Sequence, residues 1–238
     1  VGANVTIPVV MISQADGALL RAAVDAGVCV GFIGSLNGLY ANDVGFFRSD
    51  VLLPEYGTFP GILATNSGEY SVPLAIWLTN YGNQAQTGIT ATAEILQEGN
   101  VMYSYTSDPF DQVAGDSLLV ELGTYSAETY SGKYTLNYSA TIPTTDEFDA
   151  NNSYSTSFDV VDELYSFSPV DPGTGLPFVP GHGAAGGAAA GWQTCIHFQN
   201  DNASRVALTG FWFSAVTQTA GADLDGELFG IAAYHWDT

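Results

Sequence analysis

Two segments near the middle of the chain alternate clearly between mostly apolar and mostly polar residues. In residues 133–141 one face would carry Tyr134, Leu136, Tyr138 and Ala140. In residues 153–161 the corresponding face would carry Tyr154, Thr156, Phe158 and Val160. Successive side chains of a β-strand point to opposite faces, so this alternation predicts one buried face and one solvated face. That arrangement is typical of an antiparallel β-sandwich.

Four further stretches between residues 63 and 163 are also predicted to be strands: Val72–Asn80, Gly88–Ile95, Val101–Thr106 and Ser117–Leu122. Six to seven strands in about 100 residues fit an immunoglobulin-like β-sandwich, which we predict for residues 63–163. The predicted fold class is therefore mainly β. It comprises this sandwich and a second β module, preceded by a small β-α-β remnant of an α/β domain.

Residues 1–38 differ in pattern from the rest of the chain. Val5–Ile12 and Val28–Ile33 are short apolar runs, and the segment between them has apolar residues at helical spacing. Ser13 is a suitable N-cap for this helix, and Gly27 would end it. Such a β-α-β unit is too small to bury its own apolar faces. We therefore expect other protein domains or chains to pack on residues 1–38.

The segments that flank the sandwich are rich in turn-forming residues. Residues 39–62 contain several Gly, Asn, Asp and Pro residues and are predicted to be a linker. Residues 164–191 are rich in Gly, Pro and Ala and are predicted to be a flexible loop. Residues 192–238 return to strand-like runs, at Trp192–Phe198, Arg205–Ala215 and Leu228–Trp236. We expect a second β module there, incomplete because the chain stops directly after a strand.

The charge of the chain excludes several kinds of partner. It has 25 acidic residues and only four basic ones, for a formal charge of −21. Nucleic acid and anionic membrane surfaces both require clustered cations, so neither is an expected partner. No apolar run reaches the roughly 20 residues that a spanning helix needs, so membrane insertion is not expected. The acidity indicates solubility in a saline extracellular medium, at the cell surface or outside the cell, and it also suggests carboxylate-lined Ca²⁺ sites; the two interpretations are compatible.

Calcium is the one cofactor that the sequence suggests. Two turns concentrate hard oxygen donors, the first with Asp146, Asp149, Asn151 and Asn152, and the second with Asp223, Asp225 and Glu227. Ca²⁺ takes oxygen ligands from such loops. Neither turn matches the full helix–loop–helix calcium motif, and turns rich in Asp and Asn also favour simple hairpins.

No catalytic centre is predicted. Cys29 lies in a Gly-Val-Cys-Val-Gly string that mimics a nucleophile elbow, but here the helix precedes the strand, which reverses the order that the elbow needs. Cys195, His197 and His235 could converge on a metal ion, yet they contain only one short-spaced pair, so structural roles on strands are favoured. His182 has no nucleophile beside it in the sequence.

An aromatic platform for a glycan is a further possibility. In the string Phe211-Trp212-Phe213, a strand would place Trp212 on one face and both Phe residues on the other. Trp212 is therefore a candidate ligand-binding residue. The alternative is that both faces pack in a core.

Two parts of the chain resemble known families. The string IPVVMISQADGALLRAAVDAG, Ile7–Gly27, resembles the closing strand–helix segment of protease-associated domains, which are non-catalytic α/β inserts of secreted peptidases and surface proteins. The string WLTNYGNQAQTG, Trp77–Gly88, with DEFDANNSYSTSF, Asp146–Phe158, resembles bacterial adhesion-related immunoglobulin-like domains, in which an Asn/Asp-rich turn precedes the last strand. Together the resemblances imply a secreted, Bacteroidetes-like surface protein.

Three functional hypotheses follow from these features. The first is a non-catalytic extracellular surface, adhesive or structural protein whose sandwich modules act as spacers and contact surfaces. The second is the accessory region of a secreted peptidase whose catalytic domain lies outside this chain. The third is a glycan-binding module.

Overall fold

The structure is a computed structural model that describes residues 14–28, 35, 37–171, 173–174, 197–212, 225–226, 230 and 232–234. Helix α1 spans Gln14–Asp25, as the spacing of its apolar residues predicts. Gly27 follows it with a φ of +69°, the left-handed conformation that commonly ends helices. The two flanking strands predicted for the β-α-β unit lie outside the described residues, apart from Val28, which is not in a strand. No helix in the described ranges has the length and apolarity needed to cross a membrane.

Within the described ranges, nine strands form two sheets. They are β1 (Val44–Gly45), β2 (Thr58–Pro60), β3 (Val72–Asn80), β4 (Gln86–Gln97), β5 (Asn100–Thr106), β6 (Phe110–Gln112), β7 (Ser117–Tyr125), β8 (Gly132–Thr141) and β9 (Ser153–Val161). The first sheet has the order β1-β3-β7, and the second has the order β2-β9-β8-β4-β5, with β6 beside the start of β4. Every pair is antiparallel except β2 with β9. The protein is thus mainly β, with the immunoglobulin-like sandwich architecture that the sequence predicts.

The alternating segments form the centre of the second sheet. β8 pairs with β9 so that Tyr134 lies opposite Phe158, and their rings stack with centroids 4.7 Å apart. All four predicted inward residues of β8 are buried, and on β9 Phe158 and Val160 are buried. These side chains meet those of the first sheet in one continuous core. Burial on the predicted faces confirms the period-2 interpretation of both strands.

The segment 39–62, predicted to be a linker, is an integral part of the sandwich. It supplies β1 and β2 and the buried side chains of Val44, Phe46 and Phe59. Tyr138 on β8 donates its hydroxyl to the Leu52 carbonyl oxygen at 2.7 Å, which ties this segment to the second sheet. The linker prediction is therefore wrong, because the turn residues here separate very short strands and do not form a free connection. The sandwich begins near Val44, ahead of the predicted boundary at residue 63.

The chain reaches the sandwich at one end and leaves it at the other. Val44 pairs with Asn80 at the end of β3, whereas the end of β9 pairs with the start of β8, Val160 opposite Gly132. We call the end with loops 37–43, 80–86 and 142–152 the proximal pole, and the end with loops 61–71, 126–131 and 162–165 the distal pole. β3 has nine residues. At about 3.3 Å per residue, the two poles lie about 30 Å apart.

After β9 the chain turns back and covers the distal pole. Ser166 exchanges backbone hydrogen bonds with Thr58 at 2.8 and 2.9 Å. Residues 197–206, which we call the distal clasp, then pack against the same pole. Tyr56 donates its hydroxyl to the Gln199 carbonyl oxygen at 3.0 Å, and the ring of Phe198 meets that of Tyr165 with centroids 4.3 Å apart.

The predicted strand Arg205–Ala215 is not found in its described part. Ala203–Arg205 is a turn of 3₁₀-helix, and residues 206–212 have no regular secondary structure. The side chain of Arg205 instead bonds to Glu69 and to the Ile62 carbonyl oxygen. The local alternation of apolar residues favoured a strand, but contacts with the sandwich determine the conformation here. Most of the other two strands predicted in residues 192–238 lies outside the described residues.

Candidate cation site at the proximal pole

Two acidic residues of the turn before β9 hold the backbone of the segment that leads into β1. The Glu147 carboxylate accepts hydrogen bonds from the backbone N–H groups of Ala41 at 2.7 Å and Asn42 at 2.8 Å. Asp146 accepts one from the Val44 N–H at 3.0 Å. Its other oxygen accepts the Phe148 N–H at 2.9 Å, which closes an Asx-turn within the loop. Ionised acceptors make such hydrogen bonds shorter and stronger than neutral ones.

Further hydrogen bonds and a ring contact join the same two segments. The Glu147 N–H donates to the Asn42 carbonyl oxygen, and the Phe46 N–H donates to the Asn151 carbonyl oxygen, both at 2.9 Å. The rings of Tyr40 and Phe148 stack with centroids 5.8 Å apart. We call residues 40–46 and 146–152 together the proximal clamp. The clamp joins two segments about a hundred residues apart in the chain and fixes the start of β1 against the start of β9.

Asp43 lies inside the clamp and is fully buried, at 0% exposure. Its Oδ1 accepts a hydrogen bond from the Asn151 Nδ2 at 3.0 Å. Its Oδ2 is also buried but accepts no hydrogen bond from the described residues. Burial raises the pKa of Asp43; the Asn151 bond acts in the opposite direction, and the nearby charges of Asp146 and Glu147 raise the pKa further. A negative charge on Asp43 is therefore costly in the protein as described.

Two buried amide oxygens of the clamp also accept no hydrogen bond from the described residues, and one of them belongs to Asn151, which contacts Asp43. Asn151 is 3% exposed, and its Oδ1 accepts no hydrogen bond from the described residues. The same holds for the buried Oδ1 of Asn152. Asn151 is also wedged against β1, because a Cβ atom added at Gly45 would collide with its side-chain amide. The clamp thus contains three buried oxygen acceptors without donors, a set that matches the ligand preference of hard cations.

The predicted calcium ligands of the first turn differ in their exposure and hydrogen bonding. Asp146 uses both carboxylate oxygens on backbone N–H groups, and Asp149 is exposed at the surface. Asn151 and Asn152 carry two of the three unpaired oxygens. Asp43, the carboxylate among them, was missed because it falls in the predicted linker, and only the pairing of β1 with β3 explains its burial. Among the described residues, no three His, Cys, Asp or Glu side chains are arranged to hold a metal ion.

The second predicted calcium turn lies largely outside the described residues. Asp223 and Glu227 are not described, and Asp225 is an exposed turn residue. Of the other chemical candidates, His197 is described and exposed, whereas Cys29, His182, Cys195 and His235 lie outside the described ranges. Trp212 is 72% exposed.

Neutral amides complete the proximal pole. Asn80, Gln86 and Gln112 are buried at 0–3% exposure. Asn80 donates to the Gln84 carbonyl oxygen at 2.9 Å, and Gln112 donates to that of Leu78 at 3.0 Å. Gln86 donates to the Asn42 side-chain oxygen at 2.9 Å, which connects this group to the clamp. These residues interrupt the apolar pattern at strand ends, and that interruption is a sequence signal for polar side chains that bond to loops.

No protein-family model matches the chain, and no curated protein matches its sequence. Among solved structures, the chain is similar to a crystal structure of the CARDB domain of the PF1109 protein from Pyrococcus furiosus in complex with di-metal ions, with 14% identity and a TM-score of 0.36. That match covers 55% of this chain and 100% of the domain. A solution structure of the same domain is similar with 14% identity and a TM-score of 0.35, over 52% of this chain and 100% of the domain.

Proposed function

We propose that this chain is part of a non-catalytic extracellular surface or adhesive protein, in which the β-sandwich is a spacer that keeps its two poles a fixed distance apart. The observation that carries the proposal is the arrangement of the poles. The chain joins β1 at the proximal pole and leaves β9 at the distal pole, about 30 Å away. Modules connected in this way extend a chain in series.

The hydrogen bonds of β1 and β9 are oriented so that they resist a force applied along such a chain. A pull on the segment before β1 and on the segment after β9 acts parallel to the strands. The bonds of β1 with β3 and of β9 with β8 are then loaded together and in shear, so they break together and not one after another. The proximal clamp adds charge-assisted bonds at the point where the force enters the sandwich.

Charge supports the extracellular part of the proposal, and exposed apolar surface supports a partner that packs on the start of the chain. A formal charge of −21 favours solubility where salt screens self-repulsion. The resemblance of Ile7–Gly27 to protease-associated domains suggests a secreted, Bacteroidetes-like protein. Leu20 and Val24 of α1 are 45% and 60% exposed, which supports packing of another domain or chain on residues 1–38. Surface labelling of intact source cells tests the location, and a chain protected from the label until lysis would contradict it.

Single-molecule stretching tests the spacer. Cysteine handles at Ser35 and Thr174, with Cys29 and Cys195 changed to Ser, would apply force across the sandwich in the full chain. We expect one cooperative rupture that releases roughly 450–500 Å, given about 3.6 Å per residue. Glu147→Ala should lower the rupture force because it removes the acceptor for two backbone N–H groups. Asp149→Ala, in the same turn but exposed, is the matched control. Gradual extension without a cooperative event would contradict the proposal.

A glycan-binding surface is the second candidate. The exposure of Trp212, at 72%, favours it, because a flat aromatic ring open to solvent can stack on a sugar. Binding on a glycan array that is lost in Trp212→Ala but kept in Trp77→Ala, another exposed tryptophan, would support this function. An array without bound sugars would argue against it.

The peptidase hypothesis depends on what else the gene encodes. The resemblance of Ile7–Gly27 to protease-associated domains is its support. A catalytic domain in the same open reading frame would make this chain an accessory region and would displace the spacer proposal. A frame that contains only further β modules would favour the spacer.

A further inference from the structure

The buried carboxylate of Asp43 shares the proximal clamp with two further carboxylates, those of Asp146 and Glu147. Asp43 is fully buried, and the carboxylates of Asp146 and Glu147 bond to the backbone on either side of it. The donors that face them are backbone N–H groups and the Asn151 amide. Among the described residues, ion pairing is found between Arg205 and Glu69, at the distal pole. No basic side chain of the described residues forms an ion pair with the carboxylates of the clamp. Buried charge without a counter-charge costs several kcal/mol unless a proton or a cation neutralises it.

The unpaired atoms are all oxygens. Asp43 Oδ2 and Asn151 Oδ1 belong to two side chains already joined by a hydrogen bond, and Asn152 Oδ1 comes from the adjacent residue. Carboxylate and amide oxygens are ligands of Ca²⁺, which tolerates irregular geometry and completes its shell with water. Thiolate and imidazole, which zinc prefers, are not among the described side chains of the clamp.

We propose that the proximal clamp binds one hard divalent cation of the Ca²⁺ class, with Asp43 Oδ2 as its charged ligand and Asn151 Oδ1 and Asn152 Oδ1 as neutral ligands. The cation supplies the positive charge that the clamp lacks. It also joins the segment before β1 to the turn before β9. This site differs from the one the sequence suggests, because Asp146 is occupied by backbone N–H groups and Asp149 is exposed.

Thermal melting and calorimetric titration of the full chain with CaCl₂ test the site. Wild-type protein should melt several degrees higher in millimolar Ca²⁺ than in EDTA, because a ligand that binds only the native state stabilises it. Asp43→Asn should lose this shift and, in EDTA, should melt at or above the wild-type temperature because it removes the uncompensated charge. Asp149→Asn, which changes an exposed carboxylate in the same turn, should keep the shift.

A second variant decides the matter if Asp43→Asn does not fold. Asn151→Asp adds a carboxylate beside Asp43 with little change in shape. It should destabilise the protein in EDTA, recover on addition of Ca²⁺, and bind Ca²⁺ at least about tenfold more tightly than wild type.

Three outcomes would overturn the proposal: a wild type that shows neither heat of binding nor a shift, an Asp43→Asn variant that keeps the shift, or an Asn151→Asp variant with unchanged affinity. A buried water or a proton would then satisfy Asp43. The test does not depend on the spacer function, because stretching in EDTA measures that separately.

Discussion

The guanidinium of Arg205 forms two parallel hydrogen bonds with the carboxylate of Glu69, from Nη1 to Oε2 at 2.9 Å and from Nη2 to Oε1 at 2.8 Å. The same Nη1 donates to the Ile62 carbonyl oxygen at 3.1 Å. One of only four basic residues in the chain is therefore used to fasten the distal clasp to the distal pole. A fork of this kind fixes both distance and orientation, which a single lysine could not do.

Loss of this fork should loosen the clasp while the sandwich stays folded. In Arg205→Met we expect faster amide hydrogen exchange in residues 199–206 and little change in β3, β8 and β9, whose bonds lie within the sheets. Exchange measured by mass spectrometry gives both readouts at once. Arg48→Met changes an exposed arginine elsewhere and serves as the control. Clasp exchange that is unchanged from wild type would show that the other contacts of the clasp, among them those of Tyr56, Phe198 and Asn202, hold this segment without the fork.

The same ion pair predicts a pH dependence. The bond from Arg205 lowers the pKa of Glu69 from its usual 4.5 to about 2, and a bond from the Thr65 N–H acts in the same direction. A carboxyl group with a lowered pKa stabilises the folded state above its unfolded pKa, and that contribution is lost as it becomes protonated. The difference in melting temperature between wild type and Glu69→Gln should therefore be constant above about pH 5 and shrink between pH 4.5 and 2. A difference that persists at pH 2 would contradict this account.

The buried tyrosines predict a loss of stability at alkaline pH. Burial raises the pKa of Tyr125 to about 12, and burial also raises the pKa values of Tyr70, Tyr138 and Tyr165. Their neutral forms are favoured in the folded state, so the stability they support is complete below pH 10 and falls as pH rises toward 12 and beyond. Tyrosinate absorbance should rise together with unfolding. The fall should be smaller in Tyr70→Phe than in Tyr105→Phe, which changes an exposed ring; equal falls would contradict the role of burial.

The hydrogen bond from Tyr138 to the Leu52 carbonyl oxygen tests whether residues 39–62 belong to the sandwich in solution. Tyr138→Phe removes a 2.7 Å bond and keeps the ring, so the free energy of unfolding should fall by about 1 kcal/mol. Tyr154→Phe, directly opposite on β9, is the matched control. Urea unfolding measures both values. Equal stabilities for the two variants would mean that residues 39–62 contribute little to the folded state.

The long strands were predicted well from the sequence, because the alternation of apolar and polar residues extends over many positions in each. The bounds of β3 and β9 match the prediction at both ends, and the inward face of β8 is as predicted. β1 and β2 have two and three residues, too few to show alternation, and they are set by pairing with strands far along the chain. At Arg205 the opposite error occurred: a strand was predicted and is absent. The local pattern favours a strand, but the bond to the distant Glu69 carboxylate determines the position of Arg205.

The candidate site was predictable only in part, for the same reason. The Asp- and Asn-rich turn before β9 is visible in the sequence, and Asn151 and Asn152 come from it. Nothing local distinguishes Asp43 from the other acidic residues of the chain. Its burial arises when β1 pairs with the end of β3 and brings it beside Asn151. Buried acceptors without partners can be found only after the long-range pairing is known.

Gly45 and Asn151 provide the sharpest test of that pairing. A Cβ atom at Gly45 would overlap the Asn151 side chain, so Gly45→Ala should lower the free energy of unfolding by about 1–3 kcal/mol. Gly210→Ala, which has open space around its new methyl group, should have a much smaller effect. In Asn151→Ala the overlap disappears, so Gly45→Ala should cost much less in that background, and a double-mutant cycle from urea unfolding gives the coupling. Additive effects of the two changes would place Asn151 away from β1 and would remove the basis for the clamp.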